Sequence, residues 1–502
     1  MSQKTLNNML SSSVHKHENE IAIVYRNTKL SYIELEDRVS RFAQGLISLG
    51  LKPRDRVAIM LPNCPEFIIS FFAVARIGAV IVPLNIHFRE NEIEFYITDF
   101  QVRAIIADNR LVPLCKEILA KKNMQVVLIT RGENEEGLVS MEETIKENPP
   151  IKEEPNIDAG QDVMYQFSSG STGKSKRIAR AHYNLVCEAE DFAATVDLNN
   201  TDIVLTLIPL FHTYGLCNCM LAPIHVGGKI VILEEFRPRE VIDILEEEAI
   251  TVFPGVPFMF GILADTFLDK KIDLFSLRLC ISAGAPLPRQ TFERFYSKHG
   301  IYVRQQYGST ETGAVSINFL DERVADAAES VGLPIKNVEI EIVGEDGNKL
   351  KNGDIGEVAV KSPAMARGYF NDEALTGESF RDGYFFTGDL GRKDEKGYLY
   401  IVGRKKSFIN TATHKVDPSE VESLLSDHEK VAEVVVLGEK SHYGDEIVKA
   451  VIVPRTECNE EEIIDYCRGK IADFKIPRVI EFGKEIPKSP LGKVLRKYLV
   501  ND

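Results

Sequence analysis

The sequence predicts an α/β protein whose large N-terminal body is followed by a smaller α+β domain. Three observations support this prediction: short apolar runs alternate with helical patterns up to about residue 330, period-two alternation follows, and the pattern changes again at residue 403. A chain of 502 residues is also too long for one ordinary core. We therefore expect two parallel-sheet α/β subdomains plus a small β-barrel (about 331–402) within residues 1–402, and the α+β domain at 403–502.

The alternation of helix and strand begins near the N-terminus. Residues 32–49 place apolar side chains at helical spacing, and residues 56–61 (RVAIML) form a short apolar run typical of a buried strand. Residues 67–84 are the most membrane-like stretch, but Arg76 and Gly78 interrupt it, so we expect a buried helix and then a buried strand. The same rhythm continues at 102–107, 126–129, 202–207, 229–233, 241–248 and 277–282. Apolar strands between helices indicate parallel sheets covered on both faces.

The later part of the chain has a different pattern. Residues 338–343 (VEIEIV) alternate with period two, and turns at Gly347 and Gly353 separate them from 356–361 (GEVAVK), which is typical of antiparallel strands. After the basic segment 403–406 (GRKK), a helix from Pro418 precedes strands at 431–437 and 448–453, and helices are expected to follow. This order predicts the α+β domain.

Composition limits the classes of function. The net charge of −15 argues against nucleic acid or an anionic membrane as the main partner, because either needs a basic face. The eight cysteines form no CxxC pair, so we interpret Cys217 and Cys219 as core thiols in a reducing compartment, with a metal or redox role as the alternative. The polar N-terminus has no signal-peptide pattern, and we expect a cytoplasmic protein without a membrane span.

Residues 167–177 (FSSGSTGKSKR) are rich in side chains that bind phosphate. One interpretation is the Walker A loop of an NTPase, but Ser168 stands where its first glycine belongs, and residues 177–180 suggest a strand instead of a helix. The second is an anion-binding loop, in which Gly170 and Gly173 allow close backbone approach and Lys174 and Lys176 add charge. A flexible serine–glycine linker is the third.

Seven motifs in order resemble those of the adenylate-forming acyl-CoA synthetase family, which includes acyl- and aryl-CoA ligases, luciferases and nonribosomal adenylation domains. They are the loop above, 209–215 (PLFHTYG), 282–287 (SAGAPL), 307–311 (YGSTE), 384–390 (YFFTGDL), 403–404 (GR) and 487–493 (PKSPLGK). The resemblance covers nearly the whole chain. It implies that a carboxylate attacks the α-phosphate of ATP, and that a thiol then displaces AMP from the acyl-adenylate.

The resemblance also implies roles for individual residues. The expected ATP-binding residues are Ser168, Ser169, Gly170, Ser171, Thr172, Gly173, Lys176, Ala283, Gly284, Ala285, Pro286, Gln306, Tyr307, Gly308, Ser309, Thr310, Asp389, Arg404 and Lys493. Glu311 is the expected Mg²⁺ ligand, since a hard cation that bridges phosphates prefers a carboxylate. Lys493 is expected to stabilise the adenylation transition state, and Thr310 and His212 complete the candidate catalytic set.

The acyl and CoA sites follow from the same resemblance. The expected acyl-binding residues are His212, Tyr214, Val256, Met259, Phe260, Ser282, Gln306, Gly313 and Ala314, and the expected CoA-binding residues are Thr413, His414 and Lys415. Lys406 occupies the hinge position of the mobile C-terminal domain. Four positions depart from the family pattern: Ser175, Arg177, Ser407 and Thr413. Thr413 stands where most ligases have glycine, and its Cβ would narrow the path of the thiol, which keeps an alternative acceptor open.

The sequence therefore predicts an ATP- and Mg²⁺-dependent ligase that joins a fatty or aromatic carboxylic acid to CoA. An adenylating enzyme that passes the acyl group to a carrier-protein phosphopantetheine or to an amine is the alternative. A nucleotide-binding pseudoenzyme that acts as a scaffold is a further rival. An acyl carrier protein and a second copy of the chain are left open as partners. The identity of the acid cannot be read from the sequence.

Overall fold

The computed structural model describes residues 4–132, 137–168, 176–267, 273–319, 324–405, 409–411, 414–440, 446–488 and 494–499. The chain divides into two compact units. The first consists of Met1–Ser169, Ser175–Glu339 and Val360–Phe385, and the second consists of Gly170–Lys174, Ile340–Ala359 and Phe386–Asp502.

The strands, in chain order, are β1 (Ile21–Tyr25), β2 (Thr28–Ser31), β3 (Arg56–Met60), β4 (Val80–Pro83), β5 (Ala104–Ala107), β6 (Val127–Thr130), β7 (Val139–Ser140), β8 (Asp162–Ser168), β9 (Lys176–Ala181), β10 (Ile203–Thr206), β11 (Lys229–Ile232), β12 (Val252–Gly255), β13 (Leu279–Ser282), β14 (Val303–Ser309), β15 (Gly313–Ile317), β16 (Leu333–Pro334), β17 (Glu339–Val343), β18 (Gly356–Lys361), β19 (Phe380–Arg381), β20 (Tyr384–Lys393), β21 (Leu399–Arg404), β22 (Ile409–Thr411), β23 (His414–Val416), β24 (Val431–Lys440), β25 (Glu446–Pro454) and β26 (Val479–Phe482).

The α-helices are α1 (Leu6–His17), α2 (Tyr32–Ser48), α3 (Pro65–Arg76), α4 (Glu90–Asp99), α5 (Val112–Lys121), α6 (Met141–Glu147), α7 (His182–Thr195), α8 (Thr213–Leu216), α9 (Ala222–Val226), α10 (Pro238–Glu247), α11 (Pro257–Asp265), α12 (Arg289–His299), α13 (Glu373–Ser379), α14 (Pro418–Ser426) and α15 (Glu460–Cys467). A π-helical segment, Cys217–Leu221, joins α8 to α9, and 3₁₀ turns cover Asn109–Leu111, Asp473–Lys475 and Arg496–Tyr498.

The first unit contains two large sheets. One has seven strands in the order β7-β6-β5-β3-β4-β8-β9, and the other has nine in the order β16-β15-β14-β13-β12-β10-β11-β1-β2. Six neighbouring strands of each sheet are parallel, and antiparallel strands complete the edges. The predicted parallel-sheet α/β architecture is confirmed, whereas the antiparallel edge strands of the nine-stranded sheet were not predicted.

Local sequence explains the elements at the centre of these sheets. In β3, successive residues Val57, Ala58 and Ile59 are all fully buried, because the parallel sheet is covered on both faces. Helix α2 begins with a capping box: the Ser31 hydroxyl accepts the Glu34 N–H at 3.3 Å, and the Glu34 carboxylate accepts the Ser31 N–H at 2.8 Å. Reciprocal bonds of this kind satisfy donors that a helix start leaves free, so they fix where α2 begins.

The second unit contains smaller sheets. Strands β24, β25 and β26 form a three-stranded sheet, β22 and β23 form a hairpin, and residues 389–393 of β20 pair antiparallel with β21. Helices α14 and α15 contribute Val421, Leu425 and Ile463 to the core over the three-stranded sheet. This is the predicted α+β pattern, except that β26 lies where helices were expected. Its apolar run has only two residues, Val479 and Ile480, which explains why β26 gave no clear strand signal.

Two further expectations concern the cysteines and the apolar stretch near α3. All eight cysteines are free, and Cys217 and Cys219 are buried, which confirms the interpretation as core thiols. Within residues 67–84, residues 67–76 lie in α3 and residues 80–83 form β4, so a buried helix and then a buried strand are present, as expected. Within the described ranges, no helix is both long enough and apolar enough to cross a membrane.

Candidate active site

The candidate phosphate loop joins two strands of the seven-stranded sheet. Strands β8 and β9 pair antiparallel, and Ser168 and Lys176 are their last partners. The loop residues Ser169, Gly170, Ser171, Thr172 and Gly173 lie outside the described residues, as does the side chain of Ser168. Because the loop continues into a strand and not into a helix, the structure excludes the Walker A alternative.

A chain of three polar side chains begins at Lys176, the first residue after the loop. Its ammonium lies 3.3 Å from the Tyr369 hydroxyl and 4.9 Å from the centre of the Tyr369 ring. The Tyr369 hydroxyl donates to Glu311 Oε1 at 3.1 Å. Burial, together with the Glu311 carboxylate, raises the pKa of Tyr369, so the phenol stays protonated and remains a donor. Glu311 is 7% exposed, and Tyr369 therefore holds its carboxylate in a defined position.

The hairpin of β14 and β15 presents Thr310 and Glu311 at its turn. The Ser309 and Thr312 hydroxyls lie 2.9 Å apart, and each hydroxyl accepts the backbone N–H of the other residue at 3.2 Å. This reciprocal pattern closes the turn on both sides. Thr310 is half-buried.

The start of β15 rests on a fully buried ion pair. Arg180 and Glu188 lie 2.6 Å apart, with side-chain exposures of 0% and 2%. Glu188 also accepts the Ala314 N–H at 3.1 Å, and Arg180 donates to the Ala364 carbonyl at 2.7 Å. Gly313 has a φ of +70°, and a Cβ there would lie 2.5 Å from the Glu188 carboxyl carbon. Gly313 and Ala314 are thus fixed against α7 by a charge pair that the sequence analysis did not identify.

The candidate adenine-lining segment follows β13. Ser282 ends the strand, Ala283 is buried, and Gly284 turns the chain with a φ of +87°. The Leu287 N–H donates to the Gln305 side chain at 2.8 Å, which ties the end of this segment to β14. Ala285 and Pro286 lie between these two anchors and are not buried. The segment therefore runs beside the strand that carries Tyr307, which is half-buried, and Gly308, which is exposed.

The candidate acyl-binding residues gather where strands of the nine-stranded sheet end. The Tyr214 hydroxyl contacts the carbonyl oxygens of Gly255 at 3.1 Å and Ile281 at 3.0 Å, so α8 lies across the ends of β12 and β13. The side chain of Gln306, on β14, accepts from Asn218 at 2.7 Å. Three more of the predicted residues are buried at the start of α11: Val256, Met259 and Phe260. Ligands bind at the carboxyl ends of parallel strands in open α/β sheets, and this group occupies such a position.

His212 lies at the N-terminus of α8 and is half-buried. Its neighbours are tied to the strand that leads into the phosphate loop: Gln166 donates to the Phe211 carbonyl at 3.1 Å and accepts from the Thr213 hydroxyl at 3.0 Å. Gln166 thus links the histidine motif to β8.

The second unit holds the other predicted nucleotide residues. Asp389 is 6% exposed, and its carboxylate accepts from Arg404 Nε at 2.7 Å across the β20–β21 pair. The Gly388 N–H donates to the Glu357 carboxylate at 3.2 Å, and Lys405 pairs with the same carboxylate at 2.9 Å. The structure therefore brings Asp389 and Arg404 together.

Several predicted residues cannot be placed. Lys406, Thr413 and Lys493 lie outside the described residues, and His414 and Lys415 belong to β23 without described side chains. The segment after Lys493 is anchored in the second unit. The Leu495 N–H donates to the Pro487 carbonyl at 2.8 Å, and Arg496 donates to the Glu422 carboxylate at 2.7 Å.

Sequence reasoning missed Tyr369, Asn218 and the Arg180–Glu188 pair. Asn218 gave one usable signal, because it is a polar residue inside the apolar run 216–224. Tyr369 gave none, since it lies in a loop 58 residues from the Glu311 that it contacts. Among the described residues, no group of three or more His, Cys, Asp or Glu side chains could hold a metal ion.

Comparison with known proteins identifies relatives along the whole chain. A family model described as AMP-binding enzyme matches residues 10–370, and one described as AMP-binding enzyme C-terminal domain matches residues 420–493. A long-chain-fatty-acid–CoA ligase of Bacillus subtilis is 31% identical, over 99% of this chain and 94% of the relative. The crystal structure of ATP-bound MatB from Rhodopseudomonas palustris has a TM-score of 0.90 at 29% identity, over 98% of each chain. A benzoate CoA ligase from Burkholderia xenovorans has a TM-score of 0.87 at 25% identity, over 99% of each chain.

Proposed function

The chain belongs to the adenylate-forming acyl-CoA synthetase family of AMP-binding enzymes, and from this premise we propose that it ligates a fatty or aromatic carboxylic acid to CoA. Such an enzyme is an AMP-forming acid–thiol ligase. In the first step, a carboxylate oxygen bonds to the α-phosphorus of ATP and pyrophosphate leaves. In the second step, the thiol sulfur bonds to the acyl carbon and AMP leaves.

The observation that supports this proposal is the chain of contacts from Lys176 through Tyr369 to Glu311. It connects the Lys176 ammonium, at the end of the loop where β9 begins, to the buried Glu311 carboxylate. Adenylation develops negative charge on phosphoryl oxygens, so positioned cations and donors contribute more than an acid or a base. Thr310, next to Glu311, would donate to the α-phosphate.

The donor set fits Mg²⁺. Mg²⁺ in phosphate-transfer sites is held by one or two carboxylates together with substrate phosphates and water, not by a cage of protein ligands. One buried carboxylate, Glu311, with no larger acidic cluster among the described residues, matches that requirement. The ion would neutralise phosphate charge when bound. Tyr369 would keep the carboxylate oriented for it.

The remaining assignments stay proposals. Tyr307 would stack on adenine, and Asp389 would accept hydrogen bonds from the ribose hydroxyls beside Arg404. His212 would lie near the substrate carboxylate, and Lys493 would stabilise the adenylation transition state. We further propose that residues 403–502 form the mobile domain, with its hinge at Lys406, and that Thr413, His414 and Lys415 contact CoA.

The proposal is tested by incubating the protein with ATP, Mg²⁺ and a panel of carboxylic acids, with and without CoA. We expect acid-dependent pyrophosphate release, and acyl-CoA with AMP only when CoA is present. If no acid in the panel causes pyrophosphate release, the proposal is wrong. Faster transfer to a phosphopantetheine carrier protein or an amine than to CoA would favour the alternative acceptor.

A lysine variant tests the proposed role of Lys493 in adenylation. Lys493→Ala should nearly abolish adenylation while it leaves thiolation of supplied acyl-adenylate largely intact. Lys488→Ala is the matched control, because Lys488 lies in the same segment and pairs with Glu433 at 2.5 Å. We expect the control to adenylate at close to the wild-type rate. Normal adenylation by Lys493→Ala would refute the role of this lysine.

A further inference from the structure

A buried amide pair lies among the candidate acyl-binding residues. Asn218 belongs to the π-helical segment Cys217–Leu221, is 1% exposed, and donates to Gln306 Oε1 at 2.7 Å. Segments of π-helix inside α-helices occur frequently at functional sites. Tyr214, four residues earlier, contacts the ends of β12 and β13, whereas Asn218 reaches β14. The helix thus places the amide pair at the edge of the sheet where ligands bind.

Two buried polar atoms at this edge have no hydrogen-bond partner within the described structure. They are Asn218 Oδ1 and the Ser282 hydroxyl, and both residues are 1% exposed. An unsatisfied buried polar group costs about 1–3 kcal/mol. Two apolar side chains of similar size would avoid that cost and line a hydrocarbon pocket equally well. Because Asn218 Oδ1 and the Ser282 hydroxyl lie among the candidate acyl-binding residues, a polar group on the ligand is the natural partner for them.

The chemistry of the pair indicates which polar group this is. With Asn218 Nδ2 bonded to Gln306, the free atom of Asn218 is an acceptor and needs a donor from the ligand. If both amides were rotated by 180°, the pair would stay bonded and Asn218 would offer a donor instead. A hydroxyl group both donates and accepts, so it satisfies either arrangement. A methylene chain satisfies neither.

We propose that the preferred acid carries a hydroxyl group on its tail, and that Asn218 and Gln306 bind this hydroxyl. This inference rests on the proposed ligase function and names the substrate class within it. Sites built to hydrogen-bond a substrate hydroxyl reject analogues that lack it, because the buried polar groups are then left unpaired. Asn218 and Gln306 are therefore the specificity-determining residues of this chain.

The test compares acids that differ only by a hydroxyl. The pairs are hexanoic and 6-hydroxyhexanoic acid, octanoic and 8-hydroxyoctanoic acid, and benzoic acid with its 3- and 4-hydroxy derivatives. Acid-dependent pyrophosphate release gives kcat/KM for each acid. We expect at least one hydroxylated acid to exceed its partner by about tenfold or more, the discrimination that about 1.4 kcal/mol provides.

Two variants test whether Asn218 and Gln306 cause the preference for the hydroxylated acid. Asn218→Leu and Gln306→Leu should each reduce the ratio of hydroxylated to unsubstituted acid to about one or below. Asn7→Leu is the matched control, because Asn7 is also a buried asparagine with an unpaired Oδ1 but lies on α1. It should keep the wild-type ratio. Binding of non-hydrolysable acyl-sulfamoyl adenosines with and without the hydroxyl provides a readout that does not depend on turnover.

The outcomes separate this inference from the proposed function. If every unsubstituted acid matches its hydroxylated partner in the wild-type protein, the hydroxyl inference is wrong while acid-dependent pyrophosphate release still supports the ligase. A preference that survives both leucine variants would also overturn it. If no acid releases pyrophosphate, the proposed function itself fails.

Discussion

Removing one hydroxyl group tests whether Tyr369 positions the Glu311 carboxylate for function. Tyr369→Phe keeps the ring, which lies 4.9 Å from the Lys176 ammonium, but removes the hydroxyl with its hydrogen bonds to Glu311 (3.1 Å) and Lys176 (3.3 Å). A hydrogen bond to a charged group contributes about 1.5–3 kcal/mol. Loss of a group that orients a metal ligand typically lowers metal affinity by about 10–100-fold, which corresponds to about 1.4–2.7 kcal/mol. The two free-energy ranges agree, so the effect should be measurable both as a loss of stability and as a loss of Mg²⁺ affinity.

The assay measures pyrophosphate release as a function of Mg²⁺ concentration and the free energy of unfolding in urea. For Tyr369→Phe we expect the half-saturating Mg²⁺ concentration to rise by about 10–100-fold. Tyr32→Phe is the control, because Tyr32 is also fully buried and its hydroxyl donates to the Gly228 carbonyl at 2.7 Å. The control should lose about 1 kcal/mol of stability, as expected for a neutral hydrogen bond, without any change in Mg²⁺ dependence.

One result would refute the reasoning about Tyr369. If Tyr369→Phe loses stability as Tyr32→Phe does but keeps the wild-type Mg²⁺ dependence and turnover, Tyr369 only stabilises the fold. The proposed orientation of Glu311 would then be wrong.

Three further predictions concern residues of the first unit: His182, the Arg180–Glu188 pair and Gly308. Burial lowers the pKa of His182 from 6.5 to about 4, so the unfolding free energy should fall by about 3 kcal/mol as the pH drops from 6.5 to 4, because only the unfolded chain binds the proton there. Urea unfolding at several pH values measures this fall, and His182→Gln should lack it between pH 6.5 and 4. If the variant loses as much unfolding free energy over this range as the wild-type protein does, the assignment to His182 is wrong. Arg180→Met leaves the Glu188 carboxylate buried without its cation and should cost about 3–5 kcal/mol in urea unfolding, much of which the additional change Glu188→Leu should restore. A loss below about 1 kcal/mol for the single variant would count against the buried pair. In Gly308→Ala the new Cβ would lie 2.4 Å from a backbone carbonyl oxygen of the facing strand, so adenylation activity and thermal stability should both fall. Gly377→Ala is the control, because a Cβ there meets nothing within 4 Å, and it should leave both quantities unchanged.

The interior of the fold could be predicted because burial on both faces leaves a local signal. Strands such as β3 and β10 are short apolar runs, and their order between helices indicates a parallel sheet. Edge strands carry a weaker signal. Strand β2 (TKLS) is partly exposed and largely polar, and only its antiparallel pairing with β1 identifies it as a strand.

The sequence by itself determined the family and the order of its motifs, because a motif such as 307–311 consists of adjacent residues; the nucleotide residues that it indicates stay predictions. The tertiary structure alone decided which side chains support those motifs. Tyr369 lies 58 residues from Glu311, Asn218 lies 88 residues from Gln306, and Glu188 lies 126 residues from Ala314. Contacts between such distant positions depend on how the sheets and helices pack, and no local pattern of residues specifies them.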